Sequence, residues 1–294
     1  MDMKKFLEEQ NLFRFPIGLV GCKICDSHYD SCGYDVVVFD EKLKQDQITS
    51  YGDNYVVIHH ASLSEIQSKK LLQYDKLQII HDESWDLQML LSQINEKRSS
   101  LFVDFAKNCL IESMFCCQKT KESIQNHDQF GACWQKCASF YLSDAISSLN
   151  NQKSSSSHML DLLRKLKPSS INEHISSVTE TVGIERATHT LLQRMLKSTI
   201  GFSDLIEKNN HSKIIQKKHD FFIENSMLSD CYFYLGYVNK EIFVTIKNIL
   251  NKNPELIHIL KIAFDIESDS NLLLQQADLV HNSCNALLEI ISRE

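Results

Sequence analysis

Turn-forming residues are scarce in this chain, and they are unevenly placed. Glycine and proline number 8 and 3 in 294 residues, about 4% of the chain where average usage is roughly 12%. An all-β sandwich or barrel needs a turn about every 8–12 residues, so that class is excluded. Collagen-like and proline-rich disordered chains are excluded with it. Half of the glycines, Gly18, Gly21, Gly33 and Gly52, fall at the N-terminal end. The expected class is therefore α+β and predominantly helical, with the strands confined to that end.

Local patterns sharpen this division. Residues 3–12 form a short amphipathic helix, and 15–21 (FPIGLVG) is an apolar run that closes on a glycine, as a buried strand does. The β-branched stretch 34–40 (YDVVVFD) is the clearest strand, and 55–59 and 77–80 are two more. Between these, Ser62 with Glu65 three residues on predicts a capping box opening a helix to about residue 72. A small mixed β-sheet backed by helices follows.

From Trp85 onward the apolar period changes from 2 to 3.6. Phe130, Trp134, Cys137, Ala138, Tyr141, Ala145 and Leu149 form one helical face, and Leu273, Ala277, Val280, Cys284, Leu287 and Ile291 form another. Polar stretches at 150–157, 167–170 and 208–212 separate the helices, with Ser157 and Ser169 or Ser170 as candidate caps. The organisation expected is a small α/β domain over 1–95, a helical bundle domain over 96–209, and a C-terminal helical segment over 210–294 packing on that bundle.

Charge and cysteine usage limit the partners. The formal net charge is −7, which argues against a sequence-independent nucleic-acid binder. Only a local basic face, Lys213, Lys217 and Lys218 with Lys240, Lys247 and Lys252, leaves RNA phosphate open. The start MDMKKFLEEQ lacks the apolar core of a signal peptide. No apolar run approaches the roughly 18 residues of a membrane span. A cytoplasmic protein without membrane contact is expected; a homodimer stays open, although a seam of under three heptads is short for a coiled coil. Ten cysteines in such a chain are expected to be reduced. Cys109, Cys116, Cys133, Cys137 and Cys284 sit at helical core positions. Cys22 and Cys25 have CxxC spacing, but no second pair follows at zinc-site distance.

The segment that can carry chemistry is 18–40, GLVGCKICDSHYDSCGYDVVVFD. A glycine closing one strand lets a ligand phosphate approach the backbone. Carboxylates at i and i+2 of a following strand would point to one face and share divalent ions. This window resembles the nucleotidyltransferase superfamily that includes DNA polymerase β. In that family an hG[GS] turn is followed after 9–13 residues by Dh[DE]h, with a third carboxylate on a later strand. Here Val20-Gly21-Cys22 is followed, after ten residues, by Gly33-Tyr34-Asp35-Val36. The stretch 77–87 (LQIIHDESWDL) is similar to the family's strand leading into a helix, and the helices beyond it are similar to the substrate-binding helices fused to such enzymes.

The resemblance implies a nucleotidyl group transferred from an NTP, with Mg²⁺, to an acceptor or protein partner held between the domains. It places Gly21, Cys22 and Gly33 at the nucleotide and makes Asp35 the catalytic metal ligand. Three departures imply an impaired metal site, or an inactive relative serving as a nucleotide- or protein-binding module. Cys22 replaces the small hydroxyl or glycine of the turn. Gly33 stands where the first carboxylate belongs or, if Asp35 is read as the first, Val37 stands where the second belongs. No acid lies in 55–59, where the third is expected, and His59 or His60 is the nearest substitute. His59 is accordingly taken as the second metal ligand.

Overall fold

A computed structural model describes residues 3–25, 28–42, 46–52, 54–206, 211–253, 256–266 and 269–293. The chain divides into two compact units, Met1–Asp104 and Phe105–Glu294. The architecture is α+β and mostly helical: a small mixed sheet N-terminally, then a helical region.

The first unit contains α1 (Met3–Glu9), β1 (Ile17–Val20), β2 (Tyr34–Val38), β3 (Gln47–Tyr51), β4 (Asn54–His60), α2 (Ser68–Leu71), β5 (Gln78–His81) and α3 (Asp86–Glu96). Among the described residues these strands form one sheet in the order β3-β4-β2-β1-β5. Its β2–β4 pair is parallel and its other pairs are antiparallel. Strand alternation splits the apolar residues into two cores. Ile17, Val36, Val38, Val56 and Ile58 pack with Phe6 and Leu7 of α1 on one face. Val20, Val37 and Phe39 pack on the other face, against Leu77 and the stripe Leu87, Leu90 and Ile94 of α3. Gly18 is required on that second face because a Cβ there would collide with the Leu77 side chain.

Two details depart from the sequence expectation. β3 was not anticipated, because its alternation is short and polar. The helix expected from Ser62 begins only at Ser68. The Ser62 hydroxyl is engaged with Ser64, and Glu65 accepts from the backbone N–H groups of Ile66 and Gln67. The side chains thus satisfy a turn instead of a first helical turn.

The second unit holds α4 (Arg98–Gln125) from Phe105 on, α5 (Gly131–Leu149), α6 (Met159–Lys165), α7 (Ile175–Val182), α8 (His189–Ile206), α9 (His211–Glu224), α10 (Leu228–Lys252), α11 (Ile257–Phe264) and α12 (Ser270–Arg293). α10 is central and packs on α5, α6, α8, α9 and α11, while α5 packs on α7 and α12. Gly236 allows α10 close to α5, since a Cβ there would press on the Phe140 ring. Phe140 meets Phe233 edge-on at 5.1 Å, and Trp134 meets Phe243 at 4.9 Å.

Cys109, Cys116, Cys133, Cys137 and Cys284 are all buried here, and burial pushes the Cys284 thiol up to about 11. Such thiols stay protonated and inert. Ser169 caps the turn that follows it, accepting from Asn172 N–H at 3.2 Å. Ser157 makes no capping bond to α6.

One expectation is overturned. Lys240 does not belong to a basic face; it is buried, 2.9 Å from Asp144. Its position three residues beyond Tyr237 and seven beyond Phe233 puts it on the packed seam of α10. The side chains of Lys247 and Lys252 lie outside the described residues. Among the described residues no helix is long and apolar enough to cross a membrane.

Candidate functional site

The antiparallel register of β1 and β2 sets Val20 opposite Asp35, so the glycine that ends β1 lies beside that carboxylate. Gly21 has φ 84 and ψ −168, a conformation essentially reserved for glycine. A Cβ on it would also collide with Asp35 Oδ2. Backbone shape and carboxylate position therefore demand the same residue. Cys22 follows at the start of a short 3₁₀ turn, Cys22–Ile24, and is half-buried.

The parallel register of β2 and β4 brings Asp35 opposite Val57 and Val37 opposite His59. Asp35, His59 and Tyr55 consequently share one face. His59 Nε2 donates to Asp35 Oδ1 at 3.3 Å, and its Nδ1 donates to Asp46 Oδ2 at 2.9 Å. The three side chains are each between 30% and 48% exposed. Burial disfavours the imidazolium, but the hydrogen bonds to Asp35 and Asp46 outweigh it and hold the His59 pKa up at about 9. The positive charge between the two carboxylates is that of the ring itself.

Gly33 and His60 have different surroundings. Gly33 is buried, and a Cβ on it would run into the Tyr55 ring. Gly33 also hydrogen-bonds the Tyr55 phenol through its backbone, and burial keeps that phenol protonated well above its usual range. The space beside residue 33 is therefore occupied by an aromatic ring. Alternation sends His60 to the opposite face, where its Nδ1 donates to the buried Asp40 carboxylate at 3.1 Å. Asp30 is exposed in the connecting segment.

The structure thus gathers Gly21, Asp35 and His59, keeps Cys22 at the rim, and puts Gly33 under Tyr55. Sequence reasoning missed Asp46. Its position follows from the β3–β4 hairpin, which pairs Tyr51 with Asn54 and Gln47 with Ile58. One residue beyond that ladder, Asp46 meets His59. Gly52, at φ 58, turns that hairpin; the glycine signals a turn in the sequence but does not fix the register.

The residues can be tested against the divalent ion that the resemblance implies. Asp35 and His59 supply one carboxylate and one imidazole side by side, with Asp46 behind the ring, and Gly21 leaves the carboxylate clear of any Cβ. That donor set fits one ion. It does not fit a pair, because residue 33 offers no carboxylate and Tyr55 fills its place.

No protein family matches this sequence, and no curated protein matches it. Among solved structures, the chain is similar to a crystal structure of a nucleotidyltransferase-like protein from Exiguobacterium sibiricum 255-15. The identity is 13% and the TM-score 0.35, over 85% of this chain and 87% of that one.

Proposed function

We propose that this chain is a nucleotidyltransferase-like protein that binds an NTP at the Gly21–Asp35 corner and works with one divalent ion instead of two. The observation that carries the proposal is the juxtaposition of the glycine-ended strand β1 with the Asp35 carboxylate, 3.3 Å from His59. Gly21 presents backbone without a side chain, so a phosphate oxygen can approach closely. Asp35 and His59 would hold the ion, which when bound supplies positive charge to the triphosphate oxygens during attack on the α-phosphorus. A site with a single ion stabilises less of the developing charge than a paired one, so transfer to the acceptor is expected to be slow.

A second reading rests on Tyr55. Its ring fills the space beside Gly33, and the imidazolium of His59 already neutralises Asp35. Both features suit an inactive relative that retains a nucleotide or a protein partner without turnover. One experiment separates the two: equilibrium binding of each NTP with Mg²⁺ or Mn²⁺, alongside transfer of α-labelled nucleotide to protein, RNA or small acceptors. Ion-dependent binding that Asp35→Asn abolishes, with slow labelling, is expected. Binding without labelling favours the inactive relative. No NTP binding at millimolar concentration rejects the nucleotide site altogether.

A further inference from the structure

We propose that Asp35 and His59 are the protein donors for a single divalent first-row transition ion, selected over Mg²⁺, and that Asp46 is the positioning residue that fixes the imidazole for it. The proposal deepens the metal assignment made above and does not depend on a nucleotide being bound.

Mg²⁺ demands oxygen ligands and near-ideal octahedral geometry. Imidazole suits zinc and the later first-row ions, whose affinity for mixed nitrogen–oxygen sites rises from Mn²⁺ toward Cu²⁺. A donor set that includes His59 therefore shifts which ion the corner favours.

Two donors, each about 2.1 Å from one ion, stand roughly 3.0–3.4 Å apart for octahedral or tetrahedral angles. The observed separation of His59 Nε2 and Asp35 Oδ1 is 3.3 Å. An ion can replace the proton between them with little movement of either side chain.

A metal-bound histidine commonly donates its other ring N–H to a carboxylate, which sets the tautomer and raises ligand basicity. His59 makes that bond, from Nδ1 to Asp46 Oδ2 at 2.9 Å, leaving Nε2 directed at Asp35. Asp46 immediately precedes β3 and Asp35 lies on β2, so the ring is clamped from both sides by independent segments. The side chains of His59 and Asp35 are 33% and 30% exposed, which leaves the gap accessible to an ion from solvent.

The test uses the full chain without an affinity tag and with no nucleotide present. Co²⁺ is titrated while the visible d–d absorption is recorded, followed by competition with Zn²⁺ and with Mg²⁺. One equivalent should bind, without the thiolate charge-transfer band that would place the ion on Cys22 or Cys25. Zn²⁺ should displace it, and Mg²⁺ should bind at least about 10-fold more weakly than Co²⁺.

His59→Gln should remove the preference for Co²⁺. Asp46→Asn should weaken Co²⁺ binding about 10- to 100-fold while leaving the far-UV circular dichroism of the metal-free protein unchanged. Proton NMR of the Co²⁺ form should show one hyperfine-shifted, exchangeable Nδ1–H resonance that Asp46→Asn weakens or abolishes, a signature that a merely structural role for Asp46 would not alter. The proposal is overturned by a thiolate band, by equal Mg²⁺ affinity, by unchanged Co²⁺ affinity in folded His59→Gln, or by no binding at all. Because no NTP is present, Co²⁺ binding without any nucleotide binding would reject the proposed function and leave this inference standing.

Discussion

Each unit contains a carboxylate held among a cation and aromatic groups, and the two arrangements differ in what they leave open. In the helical unit, Asp144 accepts from Lys240 at 2.9 Å and from the Tyr237 hydroxyl at 2.8 Å. The Lys240 ammonium lies 4.1 Å and 4.2 Å from the ring centres of Tyr237 and Tyr141. Both charged side chains are less than a tenth exposed; burial works to lower the lysine pKa, but the Asp144 carboxylate and its neighbours outweigh it and hold it well above its usual value. Every charge there has a fixed partner inside the protein, and no ligand is needed to complete the set. At the sheet corner, two carboxylates share one histidine and remain partly in water. That cluster carries an excess of negative charge and keeps access to solvent. The sealed cluster specifies packing, whereas the open one leaves its carboxylates within reach of solvent.

The largest expected effect would break the sealed side of this contrast. Lys240→Met leaves Asp144 buried without its counter-ion and should destabilise the helical unit by about 3–5 kcal/mol, measured by urea unfolding. Adding Asp144→Leu should recover part of the loss, because the isolated charge is removed. A loss below about 1 kcal/mol for the single variant would show that the ion pair is replaceable where it stands.

Next come the two glycines of the open corner. Gly33→Asp restores a carboxylate to the position where the resemblance places one, but the Tyr55 ring occupies that space. It should cost about 1–3 kcal/mol by overpacking and should not raise nucleotidyl transfer. Gly21→Ala forces an alanine to φ 84 and against Asp35, a cost of about 1–3 kcal/mol that should also disturb divalent-ion binding. Native stability in either variant would mean that Tyr55 or Asp35 moves easily aside.

The smallest effect is a pH dependence. A histidine whose pKa is raised from 6.5 to about 9 on folding contributes stability that is fully present below pH 6.5. This contribution is lost as pH rises through about 9. With chelator present and the carboxylates ionised, the Tm difference between the wild-type protein and His59→Gln should be widest near about pH 6 and close by about pH 10. A gap that stays constant across that range would show that Asp35 and Asp46 do not hold the proton.

Much of the fold was legible because it depends on local chemistry. The valines of β2 and the 3.6-residue spacing of Trp134, Cys137 and Tyr141 announce strand and helix regardless of what packs on them. Asp35 was legible as a candidate because strand parity and its distance from Gly21 are properties of the sequence. Asp46 was not, since its role depends on a hairpin register that places it one step beyond a short polar strand. Lys240 was misassigned for a related reason: a count of basic residues along a helix does not say which face meets another helix.

Composition and periodicity alone determined that this is a mostly helical protein whose strands gather around the N-terminal glycines, since turns need glycine and helices do not. They also determined that Gly33 offers no carboxylate. Tertiary structure alone decided that Tyr55 fills the space beside Gly33, that Asp46 and Asp35 close on His59 from two segments, and that Lys240 turns inward to Asp144. The reason is physical: dihedral preference and apolar spacing act over a few residues, whereas the meeting of charges depends on the register and packing of elements far apart in the chain.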